Sequence, residues 1–281
     1  MTEWQIDDAT LIEHCEAMLA TWYDDGGQLA FQYRGKPPRE GKMLTVFGLA
    51  AHAHYVGRAA LGLLSDPKTT LAAVPLVRLA YEDAITAQWV AQSDDGAEAF
   101  YNEEARSREA AAKDLSATSH VILASVGAEI LAKERTRLGT SSDAQARHFK
   151  QRCADLTPGG PELYAYYRIL CMASHATPHT VERFIVPNED RSAIAKLSKG
   201  AVPEPDEGSW LLYFLALSLV LAGRAVDYQD ATKSRRSQLR DIASTIGATS
   251  ELHLTPLAQK RIADEARIRR RAERKPRRRK R

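Results

Sequence analysis

The residues of this chain best suited to chemistry lie in two stretches. In LVRLAYEDAITAQWV (Leu76 to Val90), Arg78 and Glu82 stand four apart; in YAYYRILCMASH, Tyr164, Tyr167, Arg168, Cys171, Ser174 and His175 recur at helical spacing. Seven residues span almost two helical turns, so Arg168 and His175 would point the same way, about 10 Å apart by rise. Such a pair can hold one phosphate: the guanidinium stabilises its charge while the imidazole moves the proton of a ribose 2′-hydroxyl, and no metal is required. Arg168 and His175 are therefore the candidate catalytic residues, and Arg78, Glu82, Tyr167 and Ser174 the candidate binding residues around them. Plainer readings stay open. Arg78 and Glu82 also fit an internal ion pair that sets how helices dock, because buried charge is costly unless paired. The second stripe also fits a polar seam that closes a bundle.

Other ionisable residues suggest less chemistry. His175, His179 and Glu182 follow an H-x3-H-x2-E order, but Pro178 ends a helix between the two histidines, so they would not share a face and no metal ligands are assigned. His52 and His54 are two apart and point in different directions on a helix, one packed and one partly exposed. Cys15, Cys153 and Cys171 are odd in number and widely separated, which suggests neither a disulfide framework nor a thiolate metal site and fits a reducing, cytoplasmic compartment. No glycine-rich phosphate loop and no nucleophile elbow occurs, so no cofactor is assigned.

Charge is distributed unevenly. From Lys260 to Arg281 thirteen Lys or Arg stand against three carboxylates, a local +10 within an overall +3, so the rest of the chain carries −7. A stretch of this kind repels itself, buries little apolar surface and attracts phosphate polymers or acidic partners. Arg269, Arg270, Arg271, Arg277, Arg278, Arg279, Lys280 and Arg281 are the candidate nucleic-acid contacts. With no aromatic residue among them, binding would be electrostatic, nonspecific and strongly salt-dependent. A solvated, solubilising extension is the plainer alternative.

The elements that must position these groups read as helices. Apolar spacing predicts helices over Asp7 to Trp22, Gly41 to Leu64, Thr69 or Thr70 to about Gln92, and Ala97 to about Leu115. Further helices are expected over Val121 to Leu138, Ser142 to Leu156, Pro161 or Glu162 to about Ala176, and Trp210 to Gln229. Asp94-Asp95-Gly96 and Thr157-Pro158-Gly159-Gly160-Pro161 punctuate them, and a connector with Pro37 and Pro38 follows the first. The second helix sets Thr45, Gly48, His52, Ala59 and Gly62 near one face, where another helix should approach. The third is apolar on nearly every side and should be central. The uncharged run Ser209 to Gly223 is shorter than the roughly 20 residues of a membrane span, so it should be a buried bundle helix and no membrane partner is expected. The N-terminus lacks the basic-then-apolar order of a signal peptide. The expectation is an all-α multi-helix bundle over residues 1–258, with a disordered basic tail over 259–281.

With these motifs in view, the chain resembles a widespread group of uncharacterised all-helical bacterial proteins. The likeness rests on LVRLAYEDAITAQWV and YYRILCMASHATPH (Tyr166 to His179) and covers roughly residues 41–230. That group is distantly similar to the HEPN superfamily, helical bundles that include toxins and antiviral ribonucleases, built as dimers with an arginine-x4-6-histidine motif. The resemblance implies a homodimer and assigns the motif roles to Arg168 and His175. It implies a metal-independent ribonuclease in stress or phage defence, with RNA as partner. Two other functions remain: a non-catalytic interaction module whose basic tail binds nucleic acid or an acidic partner, and a ligand-binding bundle with an internal polar pocket.

Overall fold

A computed structural model describes residues 6–24, 40–133, 137–186, 196–202, 204–230 and 232–274. Its helices are α1 (Asp8–Asp24), α2 (Glu40–Leu64), α3 (Thr70–Gln92), α4 (Gly96–Ser116), α5 (Val121–Ala132), α6 (Asp143–Arg147), α7 (Phe149–Ala154), α8 (Gly160–Ser174), α9 (Pro178–Glu182), α10 (Glu207–Gln229), α11 (Arg236–Thr245) and α12 (Pro256–Arg274). Two antiparallel pairs of two-residue strands clip loops together: β1 (Leu156–Thr157) with β4 (His253–Leu254), and β2 (Ile185–Val186) with β3 (Lys196–Leu197). The class is all-α, as the sequence implies.

The core is α3 sandwiched between α2 and α10, with α1 against α10 and α2, and α8 against α3. Ala73, Ala80, Ala84 and Ala87 are fully buried on α3, so neighbouring backbones can come close, while Tyr81 and Trp89 fill the larger gaps. Some buried polar atoms of α3 bond across helices: the Tyr81 hydroxyl donates to Leu163 O at 2.9 Å and Gln88 Nε2 to Leu221 O at 2.7 Å, while Gln88 Oε1 has no hydrogen-bond partner among the described residues. Such bonds remove the cost of burying polar groups. α10 is long and apolar enough to cross a membrane by length and composition, yet 83% of its most apolar window is buried inside the bundle. It is a core helix, as its uncharged run suggests.

Most of the face of α2 expected to meet another helix stays open, although Thr45 is buried and His52 touches Asp83 of α3. Gly48, His52, Ala59 and Gly62 are exposed, and a Cβ at Gly48 or Gly62 would meet nothing within 4 Å. α10 instead approaches at Gly57, where a Cβ would lie 3.1 Å from Leu219 and 3.2 Å from Leu215. Small residues permit a close approach; the larger apolar stripe of Val46, Ala50, Ala53, Val56 and Ala60 decides where it happens.

Around this core, α4 and α5 pair with each other. At Gly127 a Cβ would sit 2.6 Å from Ala112 O and from Ser116 N, so only glycine lets the two backbones touch. The helix expected over Ser142 to Leu156 is two pieces, because His148 is extended (φ −121°, ψ 112°) between α6 and α7. α5 is shorter than the expected run to Leu138. The basic stretch also departs from expectation in its first part, since α12 is helical to Arg274. Ala258 is fully buried and Ile262 packs against the core, so this end of the helix has apolar surface to bury. The Pro37-Pro38 connector and residues 275–281 lie outside the described residues.

Candidate functional site

Arg78 and Glu82 meet where α3 faces α7 and α8, in a seam of charged and aromatic side chains. Arg78 Nη1 lies 3.8 Å from Glu82 Oε2 and donates to the Tyr167 hydroxyl at 3.4 Å. On the other side of Glu82, Arg152 of α7 approaches Oε1 to 3.6 Å and donates to Thr86 Oγ1 at 3.0 Å. Burial works against the charge on Arg78, but contacts with Cys171, Tyr167 and Glu82 together outweigh it and raise its pKa. Burial, and then a hydrogen bond with Cys171, push the Tyr167 hydroxyl up to about 12. Both guanidiniums keep a buried Nε with no hydrogen-bond partner among the described residues.

Next to Glu82, Asp83 turns toward α2, where its Oδ2 lies 2.7 Å from Nδ1 of His52. Burial raises the Asp83 carboxyl to about 6, against the opposing pull of His52. The contact uses Nδ1 and orients the ring through a carboxylate, a common way to prepare an imidazole for proton transfer. His54 is different: it is buried, stacked on Trp22 at 3.9 Å, and lowered to about 4 by burial. One histidine is thus packed and one half exposed, as their spacing suggests.

α8 separates this seam from a second feature. At about 100° per residue, Leu163, Tyr167, Leu170 and Ser174 face the core; Ser174 Oγ donates to Leu170 O at 2.6 Å within its own helix. Tyr164, Tyr167 and Cys171 border the seam. On the opposite flank Tyr166, Ile169, Met172 and Ala173 line a groove of about 980 Å³, completed by Trp210, Tyr213 and Phe214 of α10 and the end of α11. Phe214 is its hub: the Tyr166 ring lies 5.2 Å away, and those of Trp210 and Tyr213 5.7 Å each. Beside the groove floor, buried Arg183 holds buried Glu207 by two bonds of 2.9 and 2.6 Å.

Arg168 and His175 stand on the ridge between these flanks. Both are exposed, and no hydrogen bond or ion pair joins either side chain to the seam among the described residues. The expectation that Arg78 and Glu82 support them is therefore not met among the described residues. Arg168 follows Tyr167 by one residue, and a 100° turn carries it from the seam out to solvent. His175 caps α8 in extended conformation (φ −115°, ψ 161°). His179 lies in the new short helix α9, which starts at Pro178, and reaches Glu204 at 3.4 Å.

The basic helix is held to the body at one end. Arg261 of α12 makes two bonds to Asp155, at 2.8 and 2.7 Å, and the same carboxylate accepts from Trp89 Nε1 at 3.1 Å. Arg271 is exposed; the side chains of Arg269 and Arg270, and all of Arg277, Arg278, Arg279, Lys280 and Arg281, lie outside the described residues.

Sequence reasoning missed His52 with Asp83, Arg152, Arg183 with Glu207, Asp155 with Arg261, and the aromatic groove. A signal existed for the first pair alone. α2 and α3 form a hairpin about the connection 65–69, and positions 52 and 83 are nearly equidistant from it, so they face each other. The other contacts join residues from separate stretches that no local spacing relates.

Comparison with known proteins adds one finding. No curated protein and no solved structure matches the chain. Residues 46–192 match the family of unknown function DUF5677. The matched segment runs from α2 past α9, so it carries the seam, Arg168 and His175, but neither the α10 wall of the groove nor the basic helix. With that segment spanning more than half of its length, the chain belongs to the family of unknown function DUF5677.

Proposed function

We propose that this protein is an RNA-associated helical bundle of HEPN type that cleaves RNA without a metal, acting in the bacterial cytoplasm in stress or phage defence. The observation that carries this reading is the ridge of α8: Arg168 and His175 are both exposed, and among the described residues no hydrogen bond or ion pair engages either side chain. By contrast Arg78, Arg152, Arg183, Arg224 and Arg261 are engaged by carboxylates. In this reading Arg168 neutralises a phosphate and His175 removes the adjacent ribose 2′-hydroxyl proton. The 2′-oxygen then attacks phosphorus, the P–O5′ bond breaks, the leaving 5′-oxygen takes a proton from water, and the products are a 2′,3′-cyclic phosphate and a 5′-hydroxyl. A homodimer belongs to the same reading; α5 leaves Val121 82% and Ile122 69% exposed, apolar surface suited to a second copy. The test is incubation of the full chain with transfer RNA and messenger RNA in EDTA. Cleavage that is lost in His175→Ala and reduced in Arg168→Ala supports the reading; no cleavage, or cleavage unchanged in His175→Ala, refutes it.

A second reading, the non-catalytic interaction module, is favoured by the anchoring of α12. With Arg261 fixed to Asp155, the basic residues that follow it up to Arg274 are carried on a directed helix. Deleting residues 269–281 keeps the anchor and should abolish RNA binding, while His175→Ala should not. Binding that survives the deletion removes this reading.

A further inference from the structure

The groove beside Arg168 and His175 has no role so far, and its chemistry is specific. We infer that it is a base-binding subsite for single-stranded RNA, with guanine as the preferred base. This rests on the RNA reading above, and it concerns residues that the cleavage step does not use.

Three observations converge. First, the walls are aromatic: Tyr166, Trp210 and Tyr213 stand around Phe214 with centroids 5.2 to 5.7 Å from it. Unpaired bases are bound by stacking on such rings, and single-stranded RNA is recognised chiefly this way. Second, the volume of about 980 Å³ lies at the upper end of the range for small-ligand sites, roughly 300–1,000 Å³, and admits a whole nucleotide. Third, Glu204 lines the same groove and is 42% exposed. Its carboxylate lies 3.4 Å from His179 and 3.7 Å from Arg183, contacts that leave acceptor capacity free. A carboxylate accepts from the N1–H and the 2-amino group of guanine together, whereas adenine offers a single amino group beside an acceptor.

The position explains how base and phosphate would be held at once. Met172 lines the groove and is 57% exposed; on the helical wheel it stands about 40° from Arg168. A nucleotide whose base lies in the groove would therefore place its phosphate toward the cationic ridge. The basic tail cannot supply this discrimination, because it contains no aromatic side chain.

The test measures binding of GMP, AMP and ribose 5-phosphate to the full chain by calorimetry, with tetramethylammonium as a control for a groove that takes organic cations. GMP should bind, AMP more weakly, and ribose 5-phosphate not measurably. Trp210→Ala should weaken GMP roughly tenfold or more, the range of a lost stacking contact, and Glu204→Gln should remove the preference over AMP. Met172→Glu, at an exposed position that does not endanger folding, should block GMP by placing a charge on the wall. GMP binding without RNA cleavage would sustain the groove and sink the catalytic reading. RNA cleavage without GMP binding, binding unchanged by Met172→Glu, or binding of tetramethylammonium alone would overturn the groove inference.

Discussion

Replacing Asp155 by alanine should both destabilise the body and release the basic helix. Asp155 is 6% exposed and holds three donors: Arg261 through bonds of 2.8 and 2.7 Å, and Trp89 Nε1 at 3.1 Å. Trp89 is fully buried, so losing its acceptor strands an indole N–H, at about 1–3 kcal/mol. A fully buried pair broken on one side would cost about 3–5 kcal/mol more. The Arg261 side chain, however, is 26% exposed and can rehydrate, which brings that part to roughly 1–2 kcal/mol. The total is about 2–5 kcal/mol, or on the order of 5–15 °C in Tm for a chain of this size. Urea unfolding followed by tryptophan emission and far-UV circular dichroism measures it. Asp155→Asn, which keeps an acceptor for Trp89, should lose less. Limited trypsin digestion should cut after Arg267 and Arg271 faster in Asp155→Ala than in wild type. A loss below 0.5 kcal/mol, or unchanged digestion of α12, would refute the view that this carboxylate docks the helix.

Other outcomes follow from the same kind of reasoning. Glu207→Ala removes the two-bond partner of the buried Arg183 guanidinium and leaves it Glu204 at 3.7 Å, so it should cost about 2–4 kcal/mol in urea unfolding, below the full cost of an unpaired buried charge. Gly127→Ala puts a Cβ 2.6 Å from two α4 backbone atoms that cannot rotate away, and should cost about 1–3 kcal/mol. Because burial raises Asp83 to about 6 from 3.8, the folded state holds a proton that the unfolded chain releases. The resulting stability is complete below pH 3.8 and is lost as pH rises through about 6. Asp83→Asn should flatten that decline, by roughly 2–3 kcal/mol between the two limits, in urea midpoints compared at pH 4 and pH 7. Ile122→Glu, at a position 69% exposed, should convert a sedimenting dimer to a monomer with stability unchanged to within about 0.5 kcal/mol; a wild-type monomer would remove α5 as a contact face.

The all-α class and most helix positions were legible because they depend on local facts. Apolar residues at a 3.6-residue period bury one face, and Asp94-Asp95-Gly96 ends α3 within two residues of where its hydrogen-bond ladder stops. The charge of the C-terminal stretch is likewise a property of composition. Spacing also placed Arg168 and His175 on one side of one helix; both are exposed, but the helix stops at Ser174 and His175 follows it in extended conformation.

Which side that would be was not a local matter. Helical period orders residues around an axis but does not say where neighbouring helices stand, so Arg168 joined the buried seam on paper and the solvent ridge in three dimensions. Packing alone set Asp83 against His52, closed Arg152 over Glu82, and brought Tyr166 of α8 against Phe214 of α10, beside Trp210 and Tyr213, across more than forty residues of chain. The sequence by itself determined that the chain is helical and that its charge is divided between an acidic body and a basic end. Only the tertiary structure decided which polar groups are spent on holding the fold and which remain for a ligand, because that choice depends on contacts between distant segments.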